Sequence, residues 1–540
     1  MYFRASFCIA SCSLGPKFAV RQIIPYITNP KCLSIHGWRE HLIDCLLVAS
    51  SKVTGYGAFL MTLPNGGLSS IAANVNRQIC NVKILDLVAV RFKAKSYFTE
   101  YIEKNHFDVI GFSCMVFQYS EMLELAKIAK HILPNVKTVL GGYHATVACD
   151  EILQSKDMDY FDFVVRGEGE VTFKRLIEAI HDGTGCEDIP GVSLKKEGQI
   201  IHNPVDELIN LDELRIPDRD SRAVKNRAFR IFQYQGDVVE TTRGCTFTCN
   251  YCTITKMYGR SYRKYNVDRI LRDIKDARDH GARAIFFTDD NIVLNKVHFE
   301  ELCNGIIDSG LSGMKYITQA SVQGFSRNPH LPELMERAGF EWVFLGIESD
   351  TDDDLKFFSK DNQFSTGETE AVVKALQANG MFVFGGFIIG NPSDDRESLW
   401  QTYEYTKKIG VDAALFFTLT PYPGTKLREE LLKGNYITNL HDYSYYDCVN
   451  VNVRTDHLDS YELFRVIDAI NHKTFTDGGV YRRIIRRYPL FFLKTILKMS
   501  YHYPDWVFHH LTQGRFLEGK RRKEYLVRTQ VSDFGKDISA

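Results

Sequence analysis

Short apolar runs separated by amphipathic stretches recur along most of this chain, and their spacing sets out two α/β units. The first lies between about 44 and 182. Runs at 44–50 (DCLLVAS), 82–86 (VKILD), 108–113 (DVIGFS), 137–142 (KTVLGG) and 161–166 (FDFVVR) read as buried strands. Helical patterns at about 118–132 and 171–181 fall between or after them, and the turn at Gly66-Gly67 opens a further helix. Strands alternating with helices predict a doubly wound, parallel, Rossmann-like sheet, which binds ligands beyond the C-terminal strand ends.

A second series runs from about 236 to 427. Strands are predicted at 237–241, 284–288, 316–320, 342–347, 383–389 and 413–418, with charged helical stretches between them. Repeats of this length predict a full or partial (β/α) barrel, whose sites also lie at C-terminal strand ends. Between the two units, residues 191–203 predict a hairpin turning near Glu197-Gly198. Residues 204–230, polar and holding Pro204 and Pro217, read as an interdomain linker. The expected division is an N-terminal extension (1–43), a first domain (44–190), hairpin and linker (191–230), a barrel core (231–427) and a mostly helical C-terminal region (428–540).

Composition narrows the setting. A chain of 540 residues exceeds one ordinary core, and 44% apolar with 25% charged residues is globular. Lys and Arg total 66 against 67 Asp and Glu, so no charge bias points to nucleic acid. The 13 cysteines are an odd number and mostly isolated, which argues against a disulfide framework and for a reducing, cytoplasmic setting. The early apolar run in MYFRASFCIASCSLGP is short for a secretory leader, and no run is long enough for a transmembrane helix.

One cysteine cluster breaks the scatter. Cys245, Cys249 and Cys252 fall within TTRGCTFTCNYCTITK, directly after an apolar strand. A closed structural zinc site takes four protein ligands, and no neighbouring pair supplies a fourth; His280 and Cys303 stand alone. Three thiolates and one vacancy suit a four-iron, four-sulfur cluster with one iron open. A fortuitous or zinc-binding cluster is the plain alternative.

Gly244-Cys-x3-Cys-x-Tyr-Cys252, with Tyr251 before the last cysteine, resembles the cluster motif of the radical S-adenosylmethionine (radical SAM) enzymes. Three further segments agree in order. Asp289 and Asp290 end the second strand, where the family contacts the methionine amino group. Glu348 and Ser349 end the fourth, where it contacts ribose. Gly386, Ile388 and Gly390 resemble its G-x-I-x-G strand, whose backbone lies against adenine, and the Pro421 to Thr425 segment resembles another recurrent one. The plain readings are a strand-end turn for the aspartates and a solvated surface residue for Glu348. Arg243 either helps bind the cofactor or caps the loop.

The first unit lacks both G-x-G-x-x-G after its first strand and a Walker A motif, so common nucleotide readings fail. Instead, Gly141-Gly142-Tyr-His144-Ala-Thr follows its fourth strand and Arg-Gly167-Glu168-Gly169-Glu its fifth. Glycines there let backbone N–H groups reach a bulky polar ligand; two tight turns are the plain reading. The pair resembles the cobalamin-binding domains that precede many radical SAM cores. The D-x-H-x-x-G loop that gives cobalt its histidine is absent. His144 is then a tail-pocket or turn residue, and the loop from Ser113 to Tyr119 faces cobalt's lower side.

The resemblance implies a 4Fe-4S cluster, S-adenosylmethionine and cobalamin as cofactors. It implies a flavodoxin- or ferredoxin-type one-electron reductant, and methylation of an unactivated carbon through hydrogen abstraction and methylcobalamin. A radical SAM oxidative cyclase or rearrangement enzyme is the alternative, and a cobalamin or redox sensor a remote one. The substrate is a small molecule, lipid-like if the acid-free segment 481–504 (YRRIIRRYPLFFLKTILKMSYHYP) makes peripheral membrane contact. A lid or core-packed tail helix with a solvated basic end is the plainer reading. Cys8, Cys12, Cys32, Cys80, Cys149, Cys186 and Cys448 read as ordinary small side chains.

Overall fold

The computed structural model describes residues 42–54, 60–360, 365–476 and 482–502. Nearly all of the N-terminal extension, with Cys8, Cys12 and Cys32, lies outside the described residues, as does 503–540.

Five apolar runs form the parallel strands β1 (Ile43–Ala49), β2 (Cys80–Asp86), β3 (Val109–Ser113), β4 (Lys137–Gly141) and β5 (Phe163–Val165). Their order is β2-β1-β3-β4-β5, the doubly wound pattern that reverses between β1 and β3. Alternation along β1 shows why the sheet is covered on both sides. Cys45, Leu47 and Ala49 join Leu68 and Leu176 of helices Gly66–Asn74 and Gly169–Asp182. Leu46 and Val48 join Phe98 and Leu125 of helices Ala94–Lys104 and Tyr119–Ile132.

The hairpin lies where expected, as β6 (Val192–Lys196) and β7 (Gln199–His202), with Glu197 and Gly198 both at positive φ in its turn. It does not stand apart from the first domain. β6 pairs antiparallel with β5 and extends that sheet to seven strands.

The second series forms six strands: β8 (Tyr234–Val239), β9 (Ala284–Phe287), β10 (Lys315–Ser321), β11 (Phe340–Glu348), β12 (Phe382–Ile389) and β13 (Ala413–Thr418). They pair in parallel in sequence order, and β8 and β13 do not meet, so the barrel is partial. The β8 edge is capped antiparallel by Arg230–Ile231, which in turn pairs with Met61–Thr62. Inside, near the N-terminal strand ends, Phe232, Trp342, Phe384 and Tyr488 stack into an aromatic plug, Phe232 and Trp342 at 3.9 Å between ring centres. Tyr488 and Ile484 come from the basic C-terminal segment. Arg483 pairs with Asp412 at 2.9 Å and Arg487 with Glu341 at 3.3 Å. One side of that segment is therefore a core-packed tail, as its plainer reading expected.

The polar linker is more than a spacer. Its backbone joins β2, Ile84 N donating to Ser221 O and Ala223 N to Ile84 O, both at 2.8 Å. Its side chains reach β8: Arg222 holds Asp237 through both guanidinium nitrogens at 2.7 and 3.0 Å, and Arg219 adds a third bond at 3.0 Å. All three side chains are buried, so each charge is matched away from water. One segment thus rivets both sheets.

Candidate functional site

β8 runs into the cysteine loop through a short ribbon. Thr242–Arg243 pairs antiparallel with Arg263–Lys264 and closes residues 244–262 into a ring. Gly244 opens the ring at φ +88°, and a Cβ there would lie 2.5 Å from the Ser261 carbonyl oxygen, so only glycine fits. Cys245, Cys249 and Cys252 are half-buried on this ring and unbridged. Burial, with added pushes from the other thiols and Asp290, raises Cys245 to about 11 and Cys252 to about 12. Among the described residues no three ligating side chains converge on a point that one ion would fill. Three thiols spread around one ring are the donor set of an iron–sulfur cluster, so these residues fit that group. Tyr251 packs edge-on against Phe358, ring centres 5.5 Å apart, and its hydroxyl reaches Cys249.

The two aspartates after β9 face different tasks. Asp289 is fully buried and accepts both threonine hydroxyls of the ribbon's root, Thr241 and Thr242, each at 2.5 Å, and the Thr241 N–H at 3.2 Å. Burial pushes its carboxyl up to about 7. Asp290 accepts the Gly244 N–H at 2.9 Å and lines a cavity. A carboxylate there can hold an amino group beside the cysteines.

Glu348 sits at a bulge ending β11, at φ +69°, and pairs with the buried Lys360 at 2.6 Å. Burial alone would lower Lys360; Glu348 and Cys249 outweigh it and hold it above the ordinary lysine range. The Ser349 hydroxyl is spent on its own loop, donating to Asp354 at 2.8 Å and accepting the Thr351 N–H. Gly386 lies flat in β12, where a Cβ would meet the Phe344 ring at 2.5 Å, and Ile388 is half-buried two residues on. The Gly390 N–H and the next one both go to Asp394, at 2.7 and 2.8 Å.

Across from this lies the first sheet. Gly142 turns at φ +93°, where a Cβ would strike the Cys114 carbonyl at 2.7 Å. The Gly141-Gly142 and Gly167–Gly169 turns are bonded together, the Gly167 N–H donating to the Thr146 hydroxyl at 3.0 Å. Both border a cavity of about 450 Å³, within the usual range for ligand sites. From the first sheet Gly66, Ser113 and Gly142 line it, and from the half-barrel Glu240, Tyr258 and Asp290. Side-chain-free turns at three C-terminal strand ends fit a broad, polar ligand. His144 does not border the cavity. It is buried between Tyr119 and Tyr443, ring centres at 4.3 and 5.4 Å, and burial pushes it down to about 4.

Sequence reasoning missed Lys360, Arg263 and Tyr443. Arg263 and Tyr443 matter through partners distant in the chain and Lys360 through Glu348, 12 residues before it, and none carries a local signal.

A doubly wound sheet and a parallel half-barrel that share one cavity beside a three-cysteine ring define a cobalamin-dependent radical SAM enzyme. Residues 57–177 match the B12 binding domain and 239–406 the radical SAM superfamily. An uncharacterized methyltransferase of Pyrococcus horikoshii is 31% identical over 413 residues, 75% of this chain and 86% of that protein. The hopanoid C-3 methylase of Methylococcus capsulatus is 28% identical, with 69% of each chain covered. In fold, the chain is similar to the radical SAM methyltransferase TsrM of Kitasatospora setae, solved with cobalamin and a [4Fe-4S] cluster. The TM-score is 0.60 at 17% identity, over 73% of this chain and 78% of that one. This chain belongs to the cobalamin-binding radical SAM family. It is an enzyme whose cofactors are a 4Fe-4S cluster, S-adenosylmethionine and cobalamin, and it groups with the family's methyltransferases.

Proposed function

We propose that this enzyme methylates an unactivated carbon of a small or lipid-like molecule. In this reading Cys245, Cys249 and Cys252 hold the cluster, Asp290, Glu348 and the β12 backbone receive S-adenosylmethionine, and the glycine turns at 141–142 and 167–169 receive cobalamin. The first domain then runs through the hairpin to His202, and the catalytic core begins near 231. When bound, these groups supply a hydrogen-abstracting radical and a transferable methyl group, with electrons from a flavodoxin- or ferredoxin-type reductant.

The observation that carries the reading is the shared cavity. Its one wall is the glycine turns of the first sheet; its other includes Asp290, bonded to the glycine that opens the cysteine ring. Reacting groups from the two halves would meet there. Asp290 offers a carboxylate to a cationic amino group. Lys360 fixes Glu348 so that its free oxygen can accept hydroxyl hydrogen bonds.

The test is isotopic. The protein is expressed anaerobically with cobalamin in cells fed methyl-trideuterated methionine, beside a Cys245→Ala/Cys249→Ala/Cys252→Ala variant. A metabolite gaining three deuteriums only with the intact protein is expected. Should purified protein form 5′-deoxyadenosine while no metabolite gains label in these cells, methyl transfer is wrong and ring formation or rearrangement takes its place.

A further inference from the structure

The helix Pro489–His502 carries apolar side chains on two opposite faces. Phe491 and Phe492 pack toward the aromatic plug. On the opposite face Leu490, Leu493, Leu497 and Tyr501, spaced three and four residues apart, are 72, 55, 61 and 82% exposed. With Ile485 and Ile496, six of the 16 exposed large apolar side chains among the described residues fall in this one stretch. Scattered exposed apolar residues need no explanation, but a helix with apolar rows on opposite faces needs cover on both.

Charge identifies the cover. Residues 481–504 hold four Arg, two Lys and no acid, in a chain whose totals nearly cancel. Arg483 and Arg487 are committed to Asp412 and Glu341. Arg482, Arg486 and Lys494 are exposed around the apolar face. Apolar rows fringed by cations and free of acids match the headgroup boundary of an anionic bilayer.

We propose that this helix seats the enzyme on an anionic lipid surface. Leu490, Leu493 and Leu497 enter the acyl boundary, and Arg482, Arg486 and Lys494 meet the headgroups. The plug fixes the helix at the N-terminal end of the half-barrel, away from the cavity at the other end. The contact therefore anchors the enzyme and stands independently of what the cavity binds.

Co-sedimentation of the full chain tests it, with vesicles of phosphatidylcholine alone and of three parts phosphatidylcholine to one part phosphatidylglycerol. The wild type should pellet with the mixed vesicles at low salt, and much less at about 0.5 M salt. Leu490→Ser/Leu493→Ser/Leu497→Ser should bind on the order of a hundredfold more weakly. Arg482→Gln/Arg486→Gln, which keeps the apolar face, should bind about 25-fold more weakly, about fivefold per charge. A wild-type chain that stays in the supernatant with both vesicles overturns the proposal, as does serine-variant binding equal to wild type. A dimer in sedimentation that the serine variant dissociates would give the face to a second copy, and also overturns it.

Discussion

Arg243, one residue before the glycine that opens the cysteine ring, lies 2.5 Å from the Glu168 carboxylate in the glycine-rich turn after β5. Arg263, its cross-strand partner in the ribbon, holds the same carboxylate through two nitrogens, both at 2.9 Å. Two like charges opposite each other repel, and Glu168 lies between them, with Glu170 and Glu240 adding further carboxylates to Arg243 at 3.1 and 2.7 Å. Its remaining capacity goes to the Ile209 N–H at 3.0 Å. Glu168 is therefore the bolt between the turn and the ring. Burial alone would raise its carboxyl; the two arginines outweigh that and hold it below the ordinary range.

Replacing Glu168 by Gln should cost about 2 kcal/mol, because half-buried Arg263 loses its carboxylate while buried Arg243 keeps Glu170 and Glu240 at 3.1 and 2.7 Å. Thermal unfolding of the unloaded protein measures this. The folded carboxyl titrates below its unfolded value, so its stabilisation is full above about pH 4.5 and fades as pH falls further. The wild-type advantage over Glu168→Gln should shrink in that acid range. Iron and sulfide per chain should fall in the variant, since the ring loses its anchor.

Asp289 and Asp290 separate structure from ligand. The Asp289 carboxyl is raised to about 7 in the fold, so its ionisation costs stability as pH rises from about 4 toward 7. In Asp289→Asn the amide oxygen can take the Thr241 N–H while the amide donates to the two rotatable hydroxyls. That variant should match wild type near pH 5 and exceed it near pH 8 in chemical denaturation. Asp290→Ala should fold normally and bind S-adenosylmethionine about tenfold more weakly by calorimetry, the loss of one charge-assisted hydrogen bond.

Lys360 is paired with Glu348 out of water, so Lys360→Met strands a carboxylate and should cost about 3 kcal/mol or more. Adding Glu348→Gln should restore most of that stability. Affinity for S-adenosylmethionine should stay low in both. If the double variant binds as wild type does, the pair has only a packing role.

The His144 Nδ1 atom is buried without a hydrogen-bond partner. Held near 4, the ring must stay neutral in the fold, so wild-type stability is full above about pH 6.5 and lost toward pH 4, up to about 3 kcal/mol. His144→Phe should remove that acid sensitivity. Because His144 stands outside the cavity, the spectrum of bound cobalamin should be the same in both proteins, with no nitrogen splitting from protein in its paramagnetic resonance.

All eleven parallel strands were legible, because each is an apolar run bounded by turn residues, a purely local pattern. The cysteine ring was legible from spacing. The division of labour between Asp289 and Asp290 was not: neighbouring side chains at a strand end point to opposite sides, and identity does not say which faces the cavity. Polar residues 204–230 read as linker because composition cannot tell a solvated arginine from one bonded to a distant aspartate. Of the two readings of the C-terminal segment, the core-packed tail is the one seen, since one face of its last helix enters the plug.

That linker limits how such enzymes can be recombined. A chimera cut at the linker's end, between Arg222 and β8, would bring in a foreign partner for Asp237 and leave the arginines that match it on the discarded piece. A junction placed after β8 would carry Arg219, Arg222 and Asp237 together, but would still have to recreate the fit of the exchanged half to the cysteine ring. The two halves are thus inherited as a matched set, and a cobalamin domain borrowed from a relative must bring its own rivet.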